Sequence, residues 1–160
     1  MSEAFRNSDR LVAIEVIEGA EAPSPELDQE RRVAIFDLLE ENRFRVAGDD
    51  AGPYRLTLGL EGRKLKCVLQ NEVGGELRTF FTPLGGVRTI VEDYLAVCDD
   101  YFDAIKRLSP GQIEVIDGSR RDLHNEGSDA LSAKLAADAE VDPPTARRLF
   151  TLLCAIYPRS

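Results

Sequence analysis

"YRLTLGLEGRKLKCVLQNEVGGELRTFFTP", residues Tyr54 to Pro83, holds the clearest pattern in the chain. Its first segment alternates. Tyr54, Leu56, Leu58 and Leu60 face one way, Arg55 and Thr57 the other. The "EGRK" that follows is a hairpin turn signal. In "KLKCVLQ" the alternation resumes, with Leu65, Cys67 and Leu69 set against Lys64 and Lys66. "NEVGGE" is a second turn and "LRTFFTP" a third strand. Short turns join strands antiparallel, and polar alternate positions leave one face of the sheet wet.

Upstream, "RLVAIEVI" reads as another strand, with Val12, Ile14 and Val16 on one face. "EGAEAPSPE" is a linker, and Ser24 with Pro25 opens a helix that runs to about Asn42. Ala34, Leu38, Val33 and Phe36 form its expected buried stripe, widened by Ile35 and Leu39. "RFRVAG" is a short strand, and "DDAGP" the turn into Tyr54.

After "PLGG" the period changes from two to helical. Val87, Val91, Tyr94, Cys98, Tyr101, Ile105 and Leu108 are spaced alternately four and three apart. A helix from Gly86 to Leu108 would be roughly 34 Å long at about 1.5 Å per residue, enough to cross the dry face of a small sheet. The same spacing suits a coiled-coil-like pair, so this seam is either core or a dimer contact. Ser109, Pro110 and Gln112 carry a capping-box spacing and start a further helix, which Gly127 is expected to end or kink. Ser128 then caps another helical piece. Asp142 and Pro143 open the last helix, "PTARRLFTLLCAIY", which must be buried by the core or by a partner.

The fold class predicted is therefore α+β: a four- to five-stranded, mainly antiparallel sheet with one face covered by helices and a helical C-terminal half. At 160 residues a single domain spanning 1–160 is expected, with 1–9 loose. The net charge of −9 argues against a nucleic-acid surface, which needs clustered Lys and Arg. "MSEAFRNSDR" lacks the apolar core of a signal peptide, and no run of 18 apolar residues occurs. These features predict a cytoplasmic protein that does not span a membrane. Cys67, Cys98 and Cys154 are odd in number, far apart and free of C-x-x-C spacing, which predicts buried thiols rather than disulfides or zinc ligands.

Chemistry is hardest to place. His124 is the single histidine, in "SRRDLHNEGSDA". One histidine leaves no H-E-x-x-H or multi-histidine metal site, and no P-loop, G-x-S-x-G or G-x-G-x-x-G signature is present. No cofactor is expected. On a helical wheel of about 100° per residue, Ile113, Ile116 and Leu123 define the core direction. Arg120 falls within roughly 20° of it, and His124 and Asp117 lie about 55° and 75° away. Arg121, Asn125 and Glu126 point outward. A guanidinium on an inner row must find partners. Either Asp117, Arg120 and His124 form a closed polar network, with His124 on last-turn carbonyls, or they open toward an anionic ligand, with Arg120 holding it and His124 moving a proton. Glu126 is a supporting candidate. Arg88, Arg147 and Arg148 begin other helices and are further candidate cations. Gly127 on this side leaves room for close backbone approach or a small ligand.

Several stretches taken together, "ERRVAIFDLLEENRF", "GPYRLTLGLE", "RTIVEDYLAVCDDYFDAI", "RRDLHNEGSD" and "TARRLFTLLCAIY", resemble in order the uncharacterised protein family (UPF) number 0262, a set of small bacterial proteins. The resemblance covers nearly the whole chain, from about residue 10 to 158, and "LHNEG" and the helix after "TARRLF" are its most specific parts. It implies a small cytosolic bacterial protein and transfers no catalytic residue. The readings that stand beside it are a non-catalytic binding or regulatory protein, homodimeric through an apolar helix, and a small cofactor-free enzyme or anion binder built on Arg120 and His124.

Overall fold

A computed structural model describes residues 4–17, 24–48 and 51–158. Most of the linker at 18–23, the turn residues 49–50 and residues 1–3 of the stretch expected to be loose lie outside these ranges. Within that stretch, Asp9 is buried and its Oδ2 accepts from the Arg6 backbone N–H at 2.7 Å.

The alternating segments form the expected sheet. β3 (Tyr54–Glu61), β4 (Lys64–Asn71) and β5 (Glu76–Pro83) run antiparallel in that order, with Leu58 opposite Cys67 and Cys67 opposite Phe80. Gly62 takes a positive φ of 61° in the first hairpin, a conformation open to glycine without a Cβ clash. At the second turn Asn71 Oδ1 accepts from the Val73 and Gly75 N–H groups at 3.1 and 2.8 Å. β1 (Leu11–Val16) lies parallel to β3, reached by a crossover through α1 (Pro25–Glu40). The register slips between Leu11 and Ala13. That extra residue lets Leu11 share the core side with Ile14 and Val16 despite the odd spacing.

"RFRVAG" does not join this sheet. β2 (Phe44–Val46) pairs instead with β6 (Ala139–Val141), a strand with too few residues to show a period. Phe44, Val46, Ala139 and Val141 are buried, and the opposed Arg45 and Glu140 form an ion pair. This ribbon ties the two halves of the chain together. Beside it, the Arg43 backbone N–H donates to Thr145 Oγ1 at 2.9 Å and so anchors the first turn of α4 (Pro143–Ile156).

Among the helices, Ser24 caps α1 as expected, its hydroxyl accepting from the Leu27 N–H at 3.2 Å. Asn42, just past the helix, is 5% exposed. It bonds both the N–H and C=O of Leu11 and the C=O of Leu38, clamping α1 to β1. The buried stripe of α1 differs from expectation. Leu27, Ala34 and Leu38 are buried, whereas Val33, Phe36 and Leu39 are exposed. Apolar residues lie on two sides of this helix, and pattern alone does not choose between them.

α2 covers Val87–Ala104, shorter than expected. Ser109 is extended, the conformation favoured before a proline, and the chain leaves the helix over residues 105–108. The first part of the α2 seam goes into the core, where Val87, Val91, Tyr94 and Cys98 are buried together with Leu95, whereas Tyr101 and Leu108 are half-buried and Ile105, past the end of the helix, is 50% exposed. α3 (Pro110–Leu135) is one helix of 26 residues, opened by the full capping box of Ser109 and Gln112. Gly127 neither ends nor kinks it into separate pieces. Ser128 is not a cap but donates back to the His124 carbonyl at 2.6 Å. The glycine serves packing: a Cβ there would stand 2.2 Å from Cζ of Phe150 on α4. α4 is buried along most of its length, including Leu149, Phe150, Leu152 and Leu153. Inner residues of the sheet and helices form one core cluster, while Arg55, Lys64 and Phe81 stay on the open side of the sheet. Among the described residues no helix is long and apolar enough to cross a membrane.

Candidate functional site

The helical layer carries a cleft of about 530 Å³ walled by α1, α3 and α4 and floored by Tyr94 of α2. α3 contributes Arg120, Arg121 and His124 to it, α4 contributes Arg147, Arg148 and Thr151, and α1 contributes Glu30 and Asp37. The anchored start of α4 fixes where its two arginines stand. Four guanidinium groups and two carboxylates therefore line one cleft in a chain with a net charge of −9.

Arg120 faces inward, as its wheel position predicts. Nη2 and Nε bond Asp117 Oδ1 at 2.7 and 3.1 Å, and Nη1 meets Glu30 Oε1 at 3.4 Å. The guanidinium lies 4.4 Å from the centre of the Tyr101 ring. Burial works against its charge, but the hydrogen bond and charge of Asp117, with Tyr94 and Glu30, hold its pKa above the ordinary value. Burial raises the pKa of Glu30, against the lowering influence of Arg120, and its Oε2 is buried without a hydrogen-bond partner.

His124 is not at a helix terminus, because α3 continues to Leu135. Its ring packs edge-on against Tyr94 and Phe150, with centroids 5.3 and 5.2 Å away. Nε2 lies 2.8 Å from Thr151 Oγ1. The Thr151 hydroxyl donates to the Arg147 carbonyl at 3.2 Å, so Oγ1 accepts from Nε2–H and Nδ1 keeps its lone pair. Burial, followed by the charges of Arg147 and Arg120, pushes the imidazole down to about 4. It is neutral at pH 7 and acts there as a hydrogen-bonding group, without charge to give.

The remaining cations are more open. Arg121 is 63% exposed and reaches Asp117 at 3.4 Å. Arg148 meets Asp37 at 3.8 Å. The Arg147 guanidinium bonds the Asn125 amide oxygen, a neutral partner. Two candidates stand apart. Glu126 is exposed on the outer side of α3. Arg88 bonds the Tyr157 hydroxyl at 3.0 Å and borders a separate depression with Glu92.

The sequence pattern pointed to Arg120, His124 and Asp117 but missed Glu30, Tyr94 and Thr151, which come from other helices. Nothing in their own segments marks them, since each fits an ordinary amphipathic pattern. Cys67, Cys98 and Cys154 are free and buried, and burial pushes Cys67 up to about 12 and Cys98 up to about 11. They are core thiols, not nucleophiles at neutral pH. Among the described residues no group of three or more His, Cys, Asp or Glu is placed to hold a metal ion.

Fold and cleft define a small α+β protein whose helical layer presents an arginine-lined depression beside a packed aromatic cluster. The chain belongs to the Uncharacterised protein family (UPF0262), whose model matches residues 8–159. It is 49% identical over 142 residues to a UPF0262 protein of Jannaschia sp. (strain CCS1), an alignment covering 88% of this chain and 91% of the relative. A UPF0262 protein of Paracoccus denitrificans (strain Pd 1222) is 46% identical over 159 residues, covering 96% and 98%. A third, from Hyphomonas neptunium (strain ATCC 15444), is 46% identical over 151 residues, covering 94% and 93%. No solved structure gives a significant match. The family is bacterial in these relatives, and its description assigns no activity.

Proposed function

We propose that this is a cytoplasmic, non-catalytic binding protein whose ligand is a small anion, a phosphate monoester or a carboxylate, held in the cleft between α1, α3 and α4. The convergence of four guanidinium groups on one concave site of an acidic chain carries this reading. Arg120 is already matched by Asp117 and Glu30 and serves as a fixed wall. Arg147, bonded to a neutral amide, and Arg121, 63% exposed and at 3.4 Å from Asp117, are the groups that would turn onto a ligand, and bidentate guanidinium geometry suits phosphate and carboxylate. The neutral imidazole of His124 holds Thr151 and supports the α3–α4 wall. With its imidazole at about 4, His124 is poorly matched to moving a proton near pH 7, and its part in the cleft is to position Thr151.

The test is thermal stability against inorganic phosphate, phosphate monoesters and dicarboxylates, at matched ionic strength, in the parent, Arg147→Ala and Arg121→Ala. A raised Tm in the parent that shrinks in both variants is the expected result. No anion raising the parent's Tm, or an equal rise in the variants, overturns the proposal.

A further inference from the structure

The exposed side of α1 is self-complementary. Val33, Phe36 and Leu39 are 48, 63 and 48% exposed, although they are large and apolar. At about 100° per residue they share one face, with Phe36 at its centre. Arg32 and Glu40 are exposed on that face, one on each side of Phe36. Turn a second α1 antiparallel about an axis through Phe36. Position 36 then meets itself, Val33 meets Leu39, and Arg32 meets Glu40. The Val33–Leu39 contact and the Arg32–Glu40 pair each occur twice, and Phe36 meets its copy once on the axis, as an isologous interface requires.

The geometry points to a homodimer formed by α1 against the α1 of a second copy, antiparallel, with Phe36 on the two-fold axis. The seams of α2 and α4 are committed to the chain's own core, so α1 is the helix that still has an apolar row to cover. Charge complementarity argues for a second copy over an unrelated partner. Stacked parallel, the same row would put Arg32 on Arg32 and Glu40 on Glu40. Arg32 also has an orienting partner within its own chain, Asp28 at 3.0 Å, which holds its guanidinium at the surface without covering it. The helix has 16 residues and spans about 24 Å. That places the interface at the small end of specific contacts, with concentration-dependent association. This inference does not depend on the anion cleft, although Val33 borders a shallow groove that leads to Asp37 and Arg148 in the cleft wall.

Sedimentation equilibrium over a concentration series reaching roughly 100 µM, above the Kd expected of an interface this small, tests it. The parent is expected to dimerise and Phe36→Glu to sediment as a monomer with its circular dichroism unchanged. Arg32→Glu and Glu40→Arg alone each create two like-charge contacts and should weaken self-association by about tenfold or more. Mixing those two variants restores both charge pairs in a heterodimer, which should form as tightly as the parent. A monomeric parent at the highest concentration overturns the proposal and would leave the row to a different protein. A dimer indifferent to Phe36→Glu, or no preference for the mixed pair, also overturns it.

Discussion

Gly127→Ala should destabilise the protein, although the same change in the middle of a helix ordinarily stabilises. Replacing a helical glycine by alanine removes backbone freedom from the unfolded chain and gains about 1 kcal/mol. At Gly127 the new Cβ would stand 2.2, 2.3 and 2.8 Å from three atoms of the Phe150 ring. The first is more than 1 Å short of the ~3.5–4.0 Å at which carbons pack. Phe150 has nowhere to go. It is fully buried, and the Tyr94 and His124 rings stand edge-on to it at 5.7 and 5.2 Å. Either α3 lifts off α4 or the aromatic cluster leaves its rotamers, and overpacking of this kind costs about 1–3 kcal/mol. With the severe overlap here placing it at about 3 kcal/mol, subtracting the helix gain leaves a net loss of about 2 kcal/mol. For a chain of this size that is a fall in Tm of roughly 4–8 °C. Gly118, on the same helix, supplies the internal control: a Cβ there meets nothing within 4 Å. Gly118→Ala should gain up to about 1 kcal/mol. Urea denaturation of the parent and both variants reads the difference directly, and the two alanines should lie about 3 kcal/mol apart. A Gly127→Ala protein as stable as the parent would refute the close-approach account of α3 and α4.

Two further outcomes follow from buried polar groups. His124 has a folded-state pKa of about 4, below the ordinary 6.5, so the folded protein excludes a proton that the unfolded chain accepts between those values. Its stabilising contribution is complete above pH 6.5 and is lost as the pH falls toward 4, by up to about 3 kcal/mol. The single imidazole should titrate by NMR with a midpoint near 4, and His124→Gln should flatten the stability profile over that window; a midpoint near 6.5 would contradict the burial argument. Thr82 is fully buried and its Oγ1 has no hydrogen-bond partner. Thr82→Val keeps the shape and removes the stranded hydroxyl, so equilibrium unfolding should show a gain of about 1 kcal/mol, and a loss of that size would show that the hydroxyl is satisfied.

The cleft was only partly legible beforehand because its members are near in space and far in sequence. Arg120, Asp117 and His124 share a helix, so periodicity placed them on one side. Glu30, Tyr94 and Thr151 join them only when α1, α2 and α4 pack. The state of His124 is set by burial and by Arg147, a residue of another helix. No spacing within "SRRDLHNEGSDA" carries that information.

What the sequence determines by itself is local and periodic. Alternation from Tyr54 to Leu69 sets two strands and their inward side, because a strand's side chains change face at every residue; the third strand follows from its turn, but with Phe80 and Phe81 adjacent its buried side is left to the packing. Ser24, Ser109 and Asp142, each followed by proline, set the starts of three helices, because a side-chain oxygen and a fixed φ satisfy the first turn without help from the rest of the chain. The tertiary structure decides whatever depends on a choice between equivalent surfaces. It buries Leu27, Ala34 and Leu38 and exposes Val33, Phe36 and Leu39, sends β2 to β6 instead of the main sheet, and uses Gly127 as a contact with Phe150 instead of a helix stop. Each of these outcomes rests on a partner more than twenty residues away, and the local pattern is the same with or without that partner.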